Sequence, residues 1–400
     1  MLENLDKIDW SKLLHAYGPA SDVPGLLREL TSAEEEVRDA AYGELYSNIW
    51  HQGTVYEASS YAVPFLIELL EQPEVREKER VLGLLEAIAH GSSYNAAHAD
   101  LTIFEKESQT EEYQREMQIQ LGWVRQAYLA VREGLPVYRV LLNHPEPAVR
   151  AGAADLLATF TEKEEAPASA RLLLARFSRE ENSAVKNSLV TSLGFLAKPG
   201  TAEAELLHGL LSARHEEPLL RQLAAAALSR VMGESVPEEA VEILVKVITG
   251  QRKDQAWYGG PDSIGADSAS KALLRIGVER GVPALARALT GAADPEAALA
   301  VAEALLGLAF SERRQKVILR SYSHSEEGRE QHKYSLKEET ALAIDTELEN
   351  GLGELKAGLT VRRREAVAAI VGADPLWALD TNLYRVYRLP ITRQELASLL

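Results

Sequence analysis

One unit recurs along this chain, and its recurrence limits the accessible folds more than any other feature. An apolar segment is followed by a short turn with proline, asparagine or acidic residues. A second segment then opens on a hydrophobic residue and a base. The first segments read VPGLLREL from Val23, VPFLIELL from Val63, LPVYRVLL from Leu135, ARLLLARF from Ala170 and VPALARAL from Val282. The second segments open with EVRDAA, EVREKER, AVRAGAA, AVKNSL and PLLRQLA, and carry bases at Arg38, Arg76, Arg150, Lys186 and Arg221. Successive bases are 38, 74, 36 and 35 residues apart, the second step being close to two periods. Self-similarity at such a period is the mark of a repeat architecture.

Within each segment the apolar residues fall at i, i+3 and i+4, the spacing of amphipathic helices. Pro73, Pro145, Asn182 and Pro218 stand where one helix should stop and the next begin. Composition agrees: 46% of residues are hydrophobic and 6% aromatic, with Ala and Leu, the strongest helix formers, dominant. A helix pair of this size cannot bury its apolar face alone, so neighbouring pairs must stack. The prolines of the first helices (Pro24, Pro64, Pro136, Pro283) and the Val-Arg or Val-Lys openings of the second resemble the HEAT repeat. The resemblance extends to the bacterial HEAT-like group related to the phycobilin lyases and covers roughly residues 22–311. It implies an all-α fold, a right-handed α-α superhelix of about seven helical hairpins with an atypical C-terminal cap. It implies little about function, because such arrays serve many purposes.

The expected organisation is a HEAT-repeat solenoid over residues 1–311 and an irregular helical cap over 312–400. Two polar insertions interrupt the solenoid, at about 92–122 and 251–268. After Ser311 the chain is polar and non-periodic (SYSHSEEGREQHKYS), and DPLWALDTNLYRVYRLPITRQELASLL reads as the terminal cap. Each repeated base has a glutamate two to five residues upstream (Glu36, Glu74, Glu146, Glu181, Glu217), which suggests ion pairing along the stack rather than a phosphate-binding stripe.

The segment WHQGTVYEASSYAVPFL, Trp50 to Leu66, departs most from the pattern. Thr54 and Glu57 have capping-box spacing, which predicts a helix from Val55 to about Glu71 bent at Pro64. Trp10, Trp50 and Trp123 precede Pro24, Pro64 and Pro136 by fourteen, fourteen and thirteen residues, with Tyr17, Tyr56 and Tyr128 between. That spacing suggests a repeated packing anchor. His51, Gln52 and Gly53 have no counterpart in the other units. Together with Tyr42, Tyr46, Trp50, Tyr56 and Tyr61 they concentrate aromatic and hydrogen-bonding groups of the kind found in pockets and interface hot spots. Trp257 and Tyr258, in the glycine-rich WYGGPDSIGADS, form a second binding candidate. This loop matches neither a P-loop nor a dinucleotide fingerprint, and Asp262 or Ser263 would cap the next helix.

Other chemistry is poorly represented. There are no cysteines, which removes disulfides, thiolate zinc sites and thiol catalysis. The nine histidines lack zinc-site spacing, so no metal and no cofactor is expected. Ser268 and Lys271 match Ser-x-x-Lys without its companion motifs. VRRRE at 361–365 reads as a solvated helix face. The N-terminus resembles no secretory signal, and the longest apolar run, Ala297–Phe310, is too short to span a bilayer and contains Glu303, so a soluble, cytoplasmic protein is expected.

The net charge of −17 disfavours nucleic acid and favours a basic partner. The expected function is a non-enzymatic protein-binding scaffold, in a specific version an immunity-type protein masking a basic toxin. The alternatives are a small-molecule-binding or enzymatic HEAT protein using the pocket around residues 42–61, and a HEAT-like DNA-modifying protein, which the charge opposes.

Overall fold

The computed structural model describes residues 2–98, 107–213, 217–250, 264–313, 319–324, 330–335, 351–379 and 383–400. They fall into two compact units, Met1–Ala197 and Lys198–Leu400. The boundary expected near residue 311 thus lies inside the second unit. Trp257 and Tyr258 lie outside the described residues.

Two small hairpins stand among the helices of the first unit. Strands β1 (Leu14–His15) and β2 (Gly18–Pro19) precede α1 (Val23–Glu29) and α2 (Glu35–Asn48). Strands β3 (Trp50–His51) and β4 (Thr54–Val55) precede α3 (Glu57–Glu71) and α4 (Lys78–Ala89). A short α5 (Tyr94–His98) leads to the long α6 (Glu111–Glu133), which α7 (Leu135–Leu141) continues after a break. The unit ends with α8 (Pro147–Ala158), α9 (Ala166–Phe177) and α10 (Ser183–Leu196). First helices α1, α3 and α6 pack together, and second helices α4, α8 and α10 form the adjacent layer.

The second unit pairs α11 (Ala202–Ser212) with α12 (Pro218–Met232), α13 (Glu238–Thr249) with α14 (Gly265–Ile276), and α15 (Val278–Thr290) with α16 (Pro295–Ala309). An antiparallel hairpin, β5 (Leu319–His324) with β6 (Glu330–Ser335), follows. Helix α17 (Val361–Gly372) then packs on α15 and α16. Among the described residues, the four helical hairpins of the first unit and three of the second make seven, an all-α, HEAT-like repeat protein as the periodicity predicted.

At Arg38, Arg150 and Arg221 the repeated base has one structural job, whereas Lys186 lies over the Phe177 ring. Arg38 Nη1 donates to the carbonyls of Ser32 and Ala33, both at 3.0 Å, and so closes the turn before α2. Arg150 Nη1 does the same to His144 and Pro145 at 2.9 and 2.8 Å, and Arg221 Nε reaches Leu211 O at 3.0 Å. In the second hairpin the residue is Lys78, whose Nζ donates to Leu70 O at 2.8 Å, rather than the exposed Arg76 assigned from sequence. The acid partners also differ from expectation. Arg38 pairs with Glu77, Arg150 with Glu180 and Arg221 with Glu239, so each carboxylate belongs to the next hairpin, not to the upstream turn.

Other expectations are corrected too. The Trp–Tyr–Pro spacing is not a structural repeat: Trp10 sits buried in a 3-10 turn, Trp50 lies in β3, and Trp123 is inside α6. The matching tyrosines differ as much, Tyr17 being 69% exposed in the β1–β2 turn. Pro64 and Pro283 lie within helices, whereas Pro24 and Pro136 occupy first turns, where proline costs no hydrogen bond. The first insertion is partly structural, since α6 takes up its second half. The polar segment after residue 311 contains β5–β6; its serines alternate with larger residues at the period of a strand, which a search for helical period passes over.

Candidate functional site

The predicted capping box at Thr54 and Glu57 does not form, because the chain first makes a hairpin. Trp50 pairs with Val55 and His51 with Thr54, leaving Gln52 and Gly53 as a two-residue turn. Their φ values are 49° and 93°, the left-handed conformations that a type I′ turn requires at both central positions. Thr54 Oγ1 donates to His51 O at 2.7 Å, so the Tyr56 hydroxyl, 2.9 Å away, is the donor to Thr54. The helix starts at Glu57. Tyr56 N–H donates to Ser59 Oγ at 2.8 Å, and Ser59 N–H returns to Tyr56 O at 3.1 Å. The segment after α4 joins the hairpin edge: Val55 N–H donates to Ser92 O at 3.0 Å and Ser92 N–H to Gly53 O at 2.8 Å.

His51 does have a counterpart, His15, at the end of the first strand of β1–β2. Tyr17 N–H donates to His15 Nδ1 at 3.0 Å, so the proton is on Nε2, which donates to Asp22 Oδ1 at 3.0 Å. Asn48 Nδ2 fills the other oxygen of Asp22 at 2.9 Å. His51 Nδ1 is 3.0 Å from Ser47 O; a carbonyl can only accept, so the proton is on Nδ1 and Nε2 is an acceptor. The Tyr17 ring meets His51 edge-on at 5.5 Å. Burial, opposed by the Thr54 hydrogen bond and reinforced by the fields of Tyr94 and Tyr17, raises the pKa of Tyr56. This edge therefore brings together His51, Gln52 and Tyr56 with Tyr17 and Tyr94.

The remaining candidates lie elsewhere. Tyr42 is buried under the Arg80 guanidinium, 4.1 Å from its ring, and burial pushes its phenol far above the ordinary value. Tyr46 projects toward Gly83 of α4 and meets Trp50 edge-on at 5.7 Å. Tyr61 faces another way, onto an open groove of about 530 Å³ with Asn4, Ile8, Pro64, Phe65 and Gln126. Trp50, His51 and Tyr56 do not line that groove.

Along the second helices of the same unit runs a polar strip that sequence reasoning missed. Asp155 of α8 accepts hydrogen bonds from Ser188 and Ser192 of α10, at 3.0 Å to Oδ2 and 3.4 Å to Oδ1. Burial first, then the field of Glu86 on α4, pushes its pKa up to about 6 against the pull of the two hydroxyls. Burial also raises Glu86, whose charge in turn reaches Tyr46. One turn beyond Asp155, Thr159 Oγ1 lies 3.0 Å from His90 Nε2. Glu86 and Asp155 are 69 residues apart in sequence, and each looks like an ordinary polar position of an amphipathic helix. The available signal was Asp155 itself, a charge inside the apolar run AGAADLLATF.

Among the described residues there is no cluster of three or more His, Asp or Glu able to hold a metal ion, and no helix long and apolar enough to cross a membrane. No family model and no curated protein matches the chain. Among solved structures it is similar to the complex of CpcE and CpcF of phycocyanin lyase from Nostoc sp. PCC7120, at 18% identity and a TM-score of 0.41 over 74% of this chain and 90% of that one. It is also similar to the karyopherin Kap121p bound to the extreme C-terminus of the protein phosphatase Cdc14p, at 14% identity and a TM-score of 0.33 over 92% of this chain and 43% of that one. A third similarity is to a structure of the cadherin and beta-catenin interaction, at 12% identity and a TM-score of 0.27 over 88% and 80% of the two chains.

Proposed function

We propose that the chain is a non-enzymatic scaffold that binds a protein partner through the second-helix face of its first unit, and that the partner presents a basic side chain to Glu86 and Asp155. One observation carries this reading. Glu86 and Asp155 are desolvated carboxylates, Asp155 further raised by the field of Glu86, with no ion-pair partner for either among the described residues. Elsewhere in the unit such groups are matched: Glu77 has Arg38, and Glu180 has Arg150 and Arg176. Placing like charges together away from water is costly, and an incoming cation relieves that cost where solvent screens it least.

Tyr46, in the field of Glu86, and Trp50, edge-on to Tyr46, supply the aromatic surface that anchors interface centres. The net charge of −17 steers a basic protein toward the chain. In the narrowest form of this reading the partner is a basic toxin that the scaffold masks. The test compares immobilised wild type with a Glu86→Gln/Asp155→Asn variant in capturing proteins from the source cells, eluted with salt. The variant is expected to lose the basic proteins that wild type retains. Equal retention by both overturns the face, and retention of no basic protein overturns the partner chemistry.

A further inference from the structure

The geometry points to a second binding site on the other side of the β3–β4 hairpin, an aromatic corner that takes the guanidinium of an arginine carried by a protein partner. It goes beyond the docking face proposed above and uses neither Glu86 nor Asp155. Opposed residues of an antiparallel pair share a face, and successive pairs face opposite ways. Trp50, which meets Tyr46, is therefore on one face with Val55, and His51 and Thr54 are on the other. The Tyr17 ring stands against His51 at 5.5 Å and 76°, with its hydroxyl 3.4 Å from Nδ1. Tyr56, two residues beyond Thr54, bonds back to the Thr54 hydroxyl at 2.9 Å. Ser92 lies beside Thr54 in parallel register, held by the Val55 and Ser92 N–H groups. Two residues on, Tyr94 opens α5 at the end of the sheet where Tyr56 stands, and α5 packs on β4. Tyr17 is 69% exposed and Tyr94 39%, while His51 and Tyr56 are half-buried.

Three features select a cation. The face of a tyrosine ring attracts positive charge through its quadrupole. Elsewhere in the chain such faces are covered from within: Arg80 lies 4.1 Å over Tyr42, Arg363 5.5 Å over Phe310 and Lys186 6.0 Å over Phe177. Among the described residues no Lys or Arg covers Tyr17, Tyr56 or Tyr94. Next, His51 holds its Nδ1 proton on Ser47 O, so Nε2 offers a lone pair that no described residue takes. Lastly, two carboxylates border the rings. Asp22 is bound to His15, which itself meets Tyr17 edge-on, and Glu57 follows Tyr56 with Oε2 3.3 Å from Leu14 N. His15 accepts at Nδ1 and is neutral, so Asp22 keeps its full charge. Neither carboxylate has a Lys or Arg partner among the described residues. A guanidinium fits this corner better than an ammonium: it is planar, lies flat on a ring and presents its donors in a fork, whereas the ammonium is compact and strongly hydrated. Rings set at 76° receive its face on one wall and its edge on the other. The net charge of −17 draws in a basic protein segment and opposes nucleic acid.

The probe is a fluorescein-labelled Gly-Ser peptide carrying spaced arginines, its affinity read by anisotropy near neutral pH. Measurements are made on Glu86→Gln/Asp155→Asn, so that the docking face above does not contribute. In that background Tyr17→Ala and Tyr94→Ala are each expected to weaken binding by at least about fivefold. Tyr17→Phe, which keeps the ring, should stay within about twofold of its parent. A citrulline peptide, of the same shape without the charge, should bind at least about fivefold more weakly than the arginine peptide, and a lysine peptide should also bind more weakly. Equal affinity for arginine and citrulline overturns the cation as ligand, in favour of a neutral group on the rings. Equal affinity for arginine and lysine overturns the guanidinium. Undiminished binding by both alanine variants, or no binding of the arginine peptide in this background, overturns the site itself. The docking face is judged separately, by the difference between wild type and the Glu86→Gln/Asp155→Asn protein.

Discussion

Arg150 holds Glu180 of the following hairpin through two parallel hydrogen bonds, Nε to Oε2 at 2.8 Å and Nη2 to Oε1 at 2.9 Å. Arg176 adds a bond at 2.9 Å, and the N–H groups of Glu181 and Asn182 donate to Oε1 at 3.1 and 3.0 Å. Burial alone would lift the pKa of Glu180. The hydrogen bonds from Arg150, Asn182 and Arg176 outweigh it and bring the carboxyl down to about 2. The same network joins the turn of one repeat to the turn of the next.

The pH dependence of this contact follows from that depression. A carboxyl whose pKa is lower in the folded state contributes stability above its unfolded value and loses it as pH falls toward the folded one. Here the window runs from 4.5 down to about 2. The contribution near neutrality is about 3 kcal/mol. Glu180→Gln is expected to lose most of it in urea unfolding at neutral pH, with the gap to wild type closing below about pH 3. Glu180→Ala leaves two arginines without an acceptor and should cost about 3–5 kcal/mol.

Asp155 has the opposite sign. Its folded pKa, about 6, is above its ordinary 3.8, so ionisation penalises the fold. The penalty is complete above about 6, shrinks as pH falls, and is gone near 3.8. Asp155→Asn should therefore stabilise the first unit near neutral pH by up to about 3 kcal/mol, with no gain near pH 4. Parallel urea titrations of wild type and variant check this, and a gain that does not vary with pH would point to packing rather than charge.

Much of this fold can be read in one dimension, because a repeat writes its rule many times. The apolar spacing and the base after the turn mark the hairpins, and the error at Arg76 came from a two-residue slip that Lys78 corrects. Features that occur once are harder to read. Gln52-Gly53 is a hairpin turn between two-residue strands, too short for a period-2 signal to emerge. Thr54 and Glu57 imitate a capping box because the true start, Tyr56 with Ser59, lies two residues further on. The Glu86–Asp155 pair is invisible in principle without the stacking register, since only the packing of α4 against α8 brings those charges together.

The hairpin turn yields its own prediction. Gln52 holds φ at 49°, a left-handed conformation that costs a non-glycine residue about 1 kcal/mol, and asparagine bears it better. Gln52→Asn should raise stability by about 0.5 kcal/mol. Gly53→Ala, at a φ of 93°, should lower it by about 1 kcal/mol or more. Thermal melts of the two variants are expected to move in opposite directions.

The break between α6 and α7 supports a coupled prediction. Tyr138 is fully buried, and its hydroxyl donates to Val131 O at 2.8 Å, an acceptor at the end of α6 that it shares with the Gly134 N–H at 3.1 Å. A Cβ at Gly134 would run into that hydroxyl and crowd Ile67. Tyr138→Phe should cost about 1 kcal/mol, from the lost hydrogen bond. Gly134→Ala should cost about 2–4 kcal/mol, because it overpacks the site and displaces the hydroxyl from its acceptor. The double variant should then cost less than the sum by about 1 kcal/mol or more, since removing the hydroxyl relieves part of the collision and the hydrogen bond can be lost only once. A double-mutant cycle in urea measures this coupling, and strict additivity would mean that the two residues do not meet.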